Sequence, residues 1–338
     1  MSRFRTRSRR GEGSSVDIST RLGRLELPNP VMTAAGTAGH GAELARYFDL
    51  ASIGAVVVKS LSATSWPGNP SPRLCPVPGG MLNSVGLQGP GVAGWAREEL
   101  PRLEACGARV VVSLWGRRLA EFGAAARMLA GVARESSAIV AVELNVSCPN
   151  LEDRRRIFAH SPEATAGAVA AVREAVDLPL LAKLSPSTPE LVEVAGAALG
   201  AGADGLTLTN TALGLAIDLE ERRPLLGAGG GGLSGPALHS VALRAVYECR
   251  QAFPATAIVG VGGISDGEGA ARMLMAGADA VQVGTATLAD PRAPERVGQL
   301  LGRTLARLGF DSLDKVVGAA QDEKTRAAMS KARRRDEP

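Results

Sequence analysis

Ile139-Val140-Ala141-Val142-Glu143-Leu144, followed at once by Asn145-Val146-Ser147-Cys148-Pro149-Asn150, is the stretch that best indicates the fold and its working end. The first six residues form a short apolar run, as expected of a strand buried on both faces of a parallel sheet. The next six place two amides and a thiol at the tip of that strand, and the proline keeps them extended. Such amides can hydrogen-bond a planar polar ligand, and the thiol can act as a base or nucleophile. The alternative is a tight turn with a structural cysteine, since a lone cysteine is usually a small buried hydrophobe.

Similar apolar runs recur along the chain, and several follow a glycine that can close the preceding helix. Eight such units in series predict an α/β fold, a (β/α)8 TIM barrel, with a doubly wound open sheet as the alternative. The barrel is expected to span residues 16–320, between a basic disordered tail (1–15) and a charged C-terminal tail (321–338). The predicted strands are residues 30–33, 55–58, 109–112, 139–144, 180–182, 205–208, 257–260 and 280–283.

Composition narrows the classes of function. The 338 residues are 45% apolar and only 3% aromatic, which argues against nucleic-acid binding by base stacking. The net charge of +4 depends on five arginines among the first ten residues, a pattern typical of solvated tails. The four cysteines are scattered without a CxxC pair, which argues against a metal site and fits a reducing cytoplasm. No apolar run reaches transmembrane length, so we expect a cytoplasmic protein that binds neither nucleic acid nor membrane.

The ends of the predicted strands are polar, and active sites of barrels lie at the carboxyl ends of the strands. Seven such ends, those of the second to the eighth strand, are expected to converge on one mouth and predict a binding site. The polar residues and glycines at these ends are Lys59, Ser60, Ser113, Asn145, Cys148, Lys183, Thr209, Asn210, Thr211, Gly262, Gly263, Gly284 and Thr285.

The last two of these strand ends predict a phosphate site, because glycine lets backbone N–H groups approach an anion and Thr285 adds a hydroxyl. Lys59 and Lys183 favour a flavin, since a cation near its N1–C2 carbonyl stabilises the reduced form. Each lysine could instead form a salt bridge with a carboxylate at the barrel rim. Residues 227–232 match GxGxxG literally, but they follow no buried strand and are expected to form a loop.

The chain resembles the dihydroorotate dehydrogenases, most of all the catalytic subunit of the NAD-linked, two-subunit class. The resemblance extends from about residue 16 to about residue 319. The motifs that carry it are residues 68–73, 81–88, 145–150, 184–186 after a lysine, 202–205, 210–211 and 231–236.

This resemblance implies FMN-dependent oxidation of dihydroorotate to orotate in de novo pyrimidine (UMP) biosynthesis. Cys148 would take the C5 proton, and the C6 hydride would pass to flavin N5. A thiol with an ordinary pKa of about 8.5 predicts a rate that rises with pH over the alkaline range. The residues expected to hold substrate are Lys59, Asn83, Ser84, Val85, Gly86, Leu87, Asn145, Asn210 and Thr211. Those expected to hold FMN are Ala35, Lys59, Ser60, Ser113, Asn145, Lys183, Thr209, Gly235, Gly262, Gly263, Gly284 and Thr285.

The sequence departs from the family pattern at two of these positions. Ser113-Leu114-Trp115-Gly116 stands where the family often has an asparagine, a small residue and a glycine, so Ser113 has a shorter reach toward the flavin. Ala35 replaces a common serine near the flavin.

The resemblance also implies partners. Electrons would pass to NAD through a second subunit that carries FAD and a 2Fe–2S centre, in a heterotetramer, and such barrels also pair as homodimers. A fumarate-using homodimer is less expected, because residues 151–156 lack its usual continuation. Two other interpretations stay open: another FMN-dependent pyrimidine or tRNA-uridine reductase, and a non-catalytic homologue. A specialised pathway with a modified substrate is a further alternative to primary pyrimidine synthesis.

Overall fold

The computed structural model describes residues 16–148, 151–153 and 156–334. The predicted basic tail, and Pro149 and Asn150 of the strand-tip motif, lie outside the described residues. In the described part of the chain, no helix is long and apolar enough to cross a membrane.

Eight parallel strands form the barrel, and all eight were predicted from the sequence. We number them β1 to β8. Their hydrogen-bonded order runs β1-β8-β7-β6-β5-β4-β3-β2, and a parallel bridge between Met32 and Ala55 closes the ring between β1 and β2. The (β/α)8 prediction is confirmed, and the doubly wound alternative is wrong. The strands are β1 (Val31–Thr33), β2 (Val56–Val57), β3 (Val110–Leu114), β4 (Ile139–Asn145), β5 (Leu180–Leu184), β6 (Gly205–Leu208), β7 (Ala257–Val261) and β8 (Ala280–Val283).

Ten α-helices lie in the described residues, most of them packed around the strands. Three of the glycines expected to close helices, Gly107, Gly202 and Gly277, have positive φ values of 62°, 105° and 119°. Gly54 has no positive φ. Glycine is required at this position for lack of space, because a Cβ there would lie 2.3 Å from the Asn29 carbonyl oxygen. The helices are α1 (Gly91–Glu98), α2 (Leu100–Ala105), α3 (Leu119–Ala133), α4 (Pro162–Arg173), α5 (Leu191–Gly200), α6 (His239–Ala252), α7 (Gly267–Ala276), α8 (Thr285–Ala289), α9 (Ala293–Arg307) and α10 (Glu323–Arg333).

The amino-terminal end of the barrel is plugged by a hairpin of Thr20–Leu22 and Leu25–Leu27. Leu22 and Leu27 are buried against apolar side chains inside the barrel. Cavities of about 530 and 900 Å³ lie at this end, remote from the polar strand tips. The polar strand tips that are expected to form the active site lie at the opposite end of the barrel.

Part of the expected charged tail is helical. Helix α10 packs across the plugged end, where its Thr325 and Met329 are buried. Arg333 lies 3.6 Å from Asp279 and 3.3 Å from Asp314. These contacts lie one helical turn or two apart, so one face of α10 rests on the barrel.

The carboxyl-terminal end carries a second, antiparallel sheet that the sequence did not predict. Its four strands, in hydrogen-bonded order, are Ala212–Gly214, Gly231–Ser234, Gly80–Asn83 and Leu74–Val77. They come from the connections that follow β2 and β6, so the sheet brings residues 74–83 beside residues 212–234 at the barrel mouth. A further short pair joins Ile217–Asp218 to Arg223–Pro224. Residues 227–230 of the GxGxxG stretch form a loop, as expected, but Gly231 and Gly232 were wrongly assigned to that loop, because they pair in the strand Gly231–Ser234 of this sheet.

Candidate active site

Side chains from four strand ends form one hydrogen-bonded network at the barrel mouth. Ser60 after β2 and Ser113 of β3 have their hydroxyl oxygens 2.9 Å apart. The Asn145 amide of β4 donates to the Ser60 hydroxyl at 3.3 Å, and the Asn210 amide after β6 donates to the Asn145 side-chain oxygen at 3.1 Å. All four residues were predicted as site residues, and the structure brings them together. Their amides and hydroxyls can satisfy the edge of a planar polar ligand.

Lys183 of β5 lies beneath this network in a buried polar cluster. Its Nζ is 3.3 Å from Glu143 Oε1 and 3.1 Å from Gln282 Oε1, and Gln282 Nε2 donates to Glu143 Oε2 at 2.7 Å. Glu143 and Gln282 are fully buried inside the barrel. The sequence reasoning missed both, although a charged residue inside an otherwise apolar strand run was visible. The salt-bridge alternative therefore holds for Lys183, though the carboxylate comes from the barrel interior rather than its rim.

Lys59 differs from Lys183 because it forms no ion pair with any described residue. Its side chain is half-buried after β2, and a Cβ on Gly36 would lie 3.2 Å from its Nζ. Burial, together with the positive charge of Lys183, lowers the pKa of Lys59 to about 8. A cation without a countercharge at the mouth is suited to an anionic ligand.

Cys148 is fully buried at the tip of β4, with its Sγ donating to the Asn145 carbonyl oxygen at 3.2 Å. Burial raises the pKa of this thiol to about 12; the Glu121 carboxylate also raises it, and a hydrogen bond from the Gly116 backbone opposes the shift. The expectation of an ordinary thiol pKa is wrong for this arrangement. Its cause is the loss of water around the thiolate, which no local sequence pattern reveals.

Glycines from two loops pack against each other on the other side of the mouth, and a hydroxyl ties a third loop to them. A Cβ on Gly263 would lie 2.8 Å from the Gly235 carbonyl oxygen, and one on Gly262 would lie 2.5 Å from the Ala242 Cβ. The Thr285 hydroxyl donates to Ser234 at 2.8 Å and ties the loop after β8 to the mouth sheet. This glycine cradle has no room for larger side chains, and glycine is the residue that lets backbone N–H groups approach a phosphate closely.

The remaining predicted residues lie in the segments around these groups. Asn83 ends a strand of the mouth sheet and donates to the Gly232 carbonyl oxygen at 3.2 Å. Among the described residues, the buried hydroxyls of Ser84 and Ser147 have no hydrogen-bond partner, which suits a polar ligand. Gly86 and Leu87 have left-handed φ values of 74° and 63° that turn the chain after Val85. The other predicted residues at the mouth are Ala35 and Gly284, which follow β1 and β8, and Thr209 and Thr211, which flank Asn210.

The dihydroorotate dehydrogenase family model matches residues 17–305 of this chain, which include every element of the candidate site. The chain belongs to this family. The match confirms the predicted oxidoreductase class, and the family implies a flavin-binding barrel.

Relatives are similar over almost their full length. Three of them, all named the catalytic subunit of dihydroorotate dehydrogenase B (NAD(+)), each align with 90% of this chain and with 98% of their own length. They come from Geobacter sp. (42% identical over 305 residues), Geotalea daltonii (43% over 303 residues) and Desulforudis audaxviator (44% over 305 residues). The predicted resemblance to this two-subunit class is confirmed.

Proposed function

We propose that this chain oxidises dihydroorotate to orotate in de novo pyrimidine biosynthesis, as the catalytic subunit of an NAD-linked enzyme. The observation that carries the proposal is the position of one thiol. Cys148 lies directly against Asn145, which is the centre of the amide and hydroxyl network at the mouth. The names of the relatives support the same substrate and acceptor.

The flavin we propose is FMN, because its single phosphate fits the glycine cradle. Gly235, Gly262 and Gly263 would hold that phosphate together with Gly284 and the Thr285 hydroxyl. FMN, when bound, supplies the acceptor for the hydride. Lys183 would be held against it by Glu143 and Gln282, in a fixed position and with its charge largely compensated. The other proposed flavin contacts are Ala35, Lys59, Ser60, Ser113, Asn145 and Thr209.

The substrate would lie between this flavin site and Cys148. Asn145, Asn210 and Asn83 would hydrogen-bond its amide edges, and the Lys59 cation would face its carboxylate. Cys148 would accept the C5 proton. Because a thiol must be ionised to accept a proton, and a pKa of about 12 leaves roughly one part in 10⁵ ionised at neutral pH, the reaction should accelerate far into the alkaline range.

The partners we propose are a second copy of this chain and a subunit with FAD and a 2Fe–2S centre that carries electrons to NAD. Four exposed apolar side chains stand at every second position from the mouth-sheet strand Ala212–Gly214 onward, which gives a homodimer a candidate contact surface. They are Leu213, Leu215, Ile217 and Leu219, all more than half exposed. The cytoplasmic location stays a prediction.

The test is anaerobic titration of the purified chain with dihydroorotate, followed by its visible spectrum. A flavin band that bleaches supports both the flavin and the first half-reaction. A band that persists refutes dihydroorotate as the reductant, and a colourless chain that does not take up FMN refutes the flavin site. Fumarate turnover by the isolated chain would contradict the need for an electron-transfer subunit.

A further inference from the structure

The backbone that follows β3 lies against the segment that carries Cys148. The Gly116 backbone hydrogen-bonds the Cys148 thiol, and the Arg117 carbonyl oxygen accepts the Leu151 backbone N–H at 2.9 Å. The Leu119 backbone N–H donates to the Glu152 carboxylate at 3.3 Å. These contacts lie at Cys148 and a few residues beyond it, so the position of the thiol depends on residues 116–119.

The Arg117 side chain fixes this backbone from two directions. Its guanidinium carbon lies 4.1 Å from the centroid of the Trp66 ring, close enough for a cation–π contact. Its Nη2 lies 3.2 Å from Glu121 Oε1, and its backbone N–H donates to Glu121 Oε2 at 2.8 Å. The paired side chains are only about 30% exposed, so this pair is better shielded from water than a surface salt bridge.

The Trp66 ring behind the guanidinium is itself held by packing and by backbone hydrogen bonds. Trp115 is buried and meets Trp66 edge-to-face, with ring centroids 6.1 Å apart. The Trp66 backbone exchanges two hydrogen bonds with Gly89, at 2.9 and 3.0 Å. Gly116 is tightly enclosed, since a Cβ there would lie 3.0 Å from the Phe122 backbone nitrogen. The Arg117 guanidinium therefore packs against a ring that is itself held in place by Trp115 and Gly89.

We propose that Arg117 is a positioning residue for Cys148: held between Trp66 and Glu121, it fixes the backbone groups that hold the thiol at the tip of β4. This inference rests on the proposed role of Cys148 as the base. Arg117 touches neither the proposed substrate network nor the glycine cradle, so its effect is transmitted through the backbone of residues 116–119. The Glu121 carboxylate on α3 acts electrostatically on the thiol, and it is itself paired with Arg117.

The first experiment measures alkylation of Cys148 by iodoacetamide in the flavin-loaded protein as a function of pH, with each cysteine followed by mass spectrometry. Arg117→Met should expose the thiol and accelerate its alkylation about tenfold, the combined effect of one cation–π contact and one half-buried ion pair. Its alkylation midpoint should fall by about one pH unit from about 12, because a tenfold larger ionised fraction corresponds to one unit and burial is the main cause of the high pKa.

The matched control is Arg244→Met, which removes an arginine from an i,i+4 pair with Glu248 at 2.7 Å on α6. It should leave the Cys148 alkylation profile unchanged. A profile of Arg117→Met that matches this control would overturn the proposal. Arg117→Lys, which retains the charge but not the planar group, should give an intermediate rate, and it serves as the test if the methionine variant does not fold.

The second experiment measures flavin reduction by dihydroorotate in a single turnover. Arg117→Met should slow this step about tenfold although more of the thiol is ionised, because a displaced thiolate no longer lies where it can accept the C5 proton. The dissociation constants for FMN and dihydroorotate should change less than about twofold, because the residue acts on the thiol alone. Faster alkylation with an unchanged reduction rate would also overturn the proposal. The alkylation measurement needs no turnover, so a wild-type chain that fails to reduce its flavin refutes the proposed function separately.

Discussion

Replacement of Glu143 by leucine tests whether the buried cluster beneath the site depends on charge compensation. Glu143 is fully buried, 3.3 Å from the Nζ of Lys183, and it accepts a hydrogen bond from Gln282 at 2.7 Å. The variant leaves Lys183, itself 5% exposed, as a buried cation whose remaining partner in this cluster is the neutral side-chain oxygen of Gln282. Removal of one partner from such a pair typically costs about 3–5 kcal/mol.

This cost converts into a measurable shift of the melting temperature. An unfolding entropy of about 2.1 cal/mol/K per residue gives roughly 0.6 kcal/mol/K for a barrel of about 300 residues, so Tm should fall by about 5–8 °C. Thermal and urea unfolding of the flavin-free protein would measure it. Glu248→Leu, at the exposed pair with Arg244, is the control and should cost less than about 1 kcal/mol.

The double variant Glu143→Leu/Lys183→Met separates charge from packing. It removes both charges, so it should be more stable than Glu143→Leu alone, since apolar replacement of a whole buried pair is often neutral or stabilising. A loss below about 1 kcal/mol for Glu143→Leu would refute the reasoning, because it would mean that the lysine is neutral or hydrated in the folded state. The single variant Lys183→Met completes the comparison. A double variant that loses as much unfolding free energy as the two single variants together would refute the coupling between the two charges.

Three further predictions concern the mouth of the barrel. Cys148→Ser should retain the flavin but reduce it at least about 100-fold more slowly in stopped-flow measurements. The rate of flavin reduction by the wild-type protein should rise from about pH 6 to 9, because burial raises the thiol pKa to about 12. A flat pH profile, or unchanged kinetics in the variant, would rule out this base. Burial lowers the pKa of Lys59 to about 8, so orotate affinity should fall above that pH, and calorimetric titration of Lys59→Met should find weaker, pH-independent binding. Gly263→Ala would place a Cβ 2.8 Å from the Gly235 carbonyl oxygen and should weaken FMN binding at least about tenfold. The control Gly309→Ala, where φ is also positive and an added Cβ would meet no atom within 4 Å, should not weaken it. Equal FMN dissociation constants for the two variants would contradict the proposed phosphate site.

The barrel could be predicted from the sequence because its signal is local. Each strand is buried on both faces and therefore reads as a continuous apolar run, as residues 139–144 do. The mouth sheet gave no such signal. Its central pairing joins Leu82 to Leu233 across some 150 residues, and its strands are short, half-exposed and rich in glycine. Their strand conformation is imposed by pairing at the barrel mouth rather than by their own residues.

The candidate site could likewise be predicted from the sequence only in part. The strand-end positions of Ser60, Asn145 and Asn210 could be predicted, because parallel strands place their carboxyl ends together. The cluster of Glu143 with Gln282 could not, since a polar residue in an apolar run indicates its partner only when the strands β4 and β8 are known to face each other across the barrel. The expected pKa of Cys148 was wrong for a related reason, because its value depends on burial by tertiary packing, which the local sequence does not reveal.

The two lysines show what this arrangement means for ligand binding. Glu143 compensates the charge of Lys183, so the positive charge left at the mouth belongs to Lys59. Its pKa is lowered because burial and the other lysine disfavour the charged form, and both effects weaken when an anion binds beside it. Binding of an anion must then raise this pKa, with uptake of protons near pH 8. The low pKa of Lys59 and the affinity of the site for anions therefore have the same cause, a positive charge that no carboxylate among the described residues compensates.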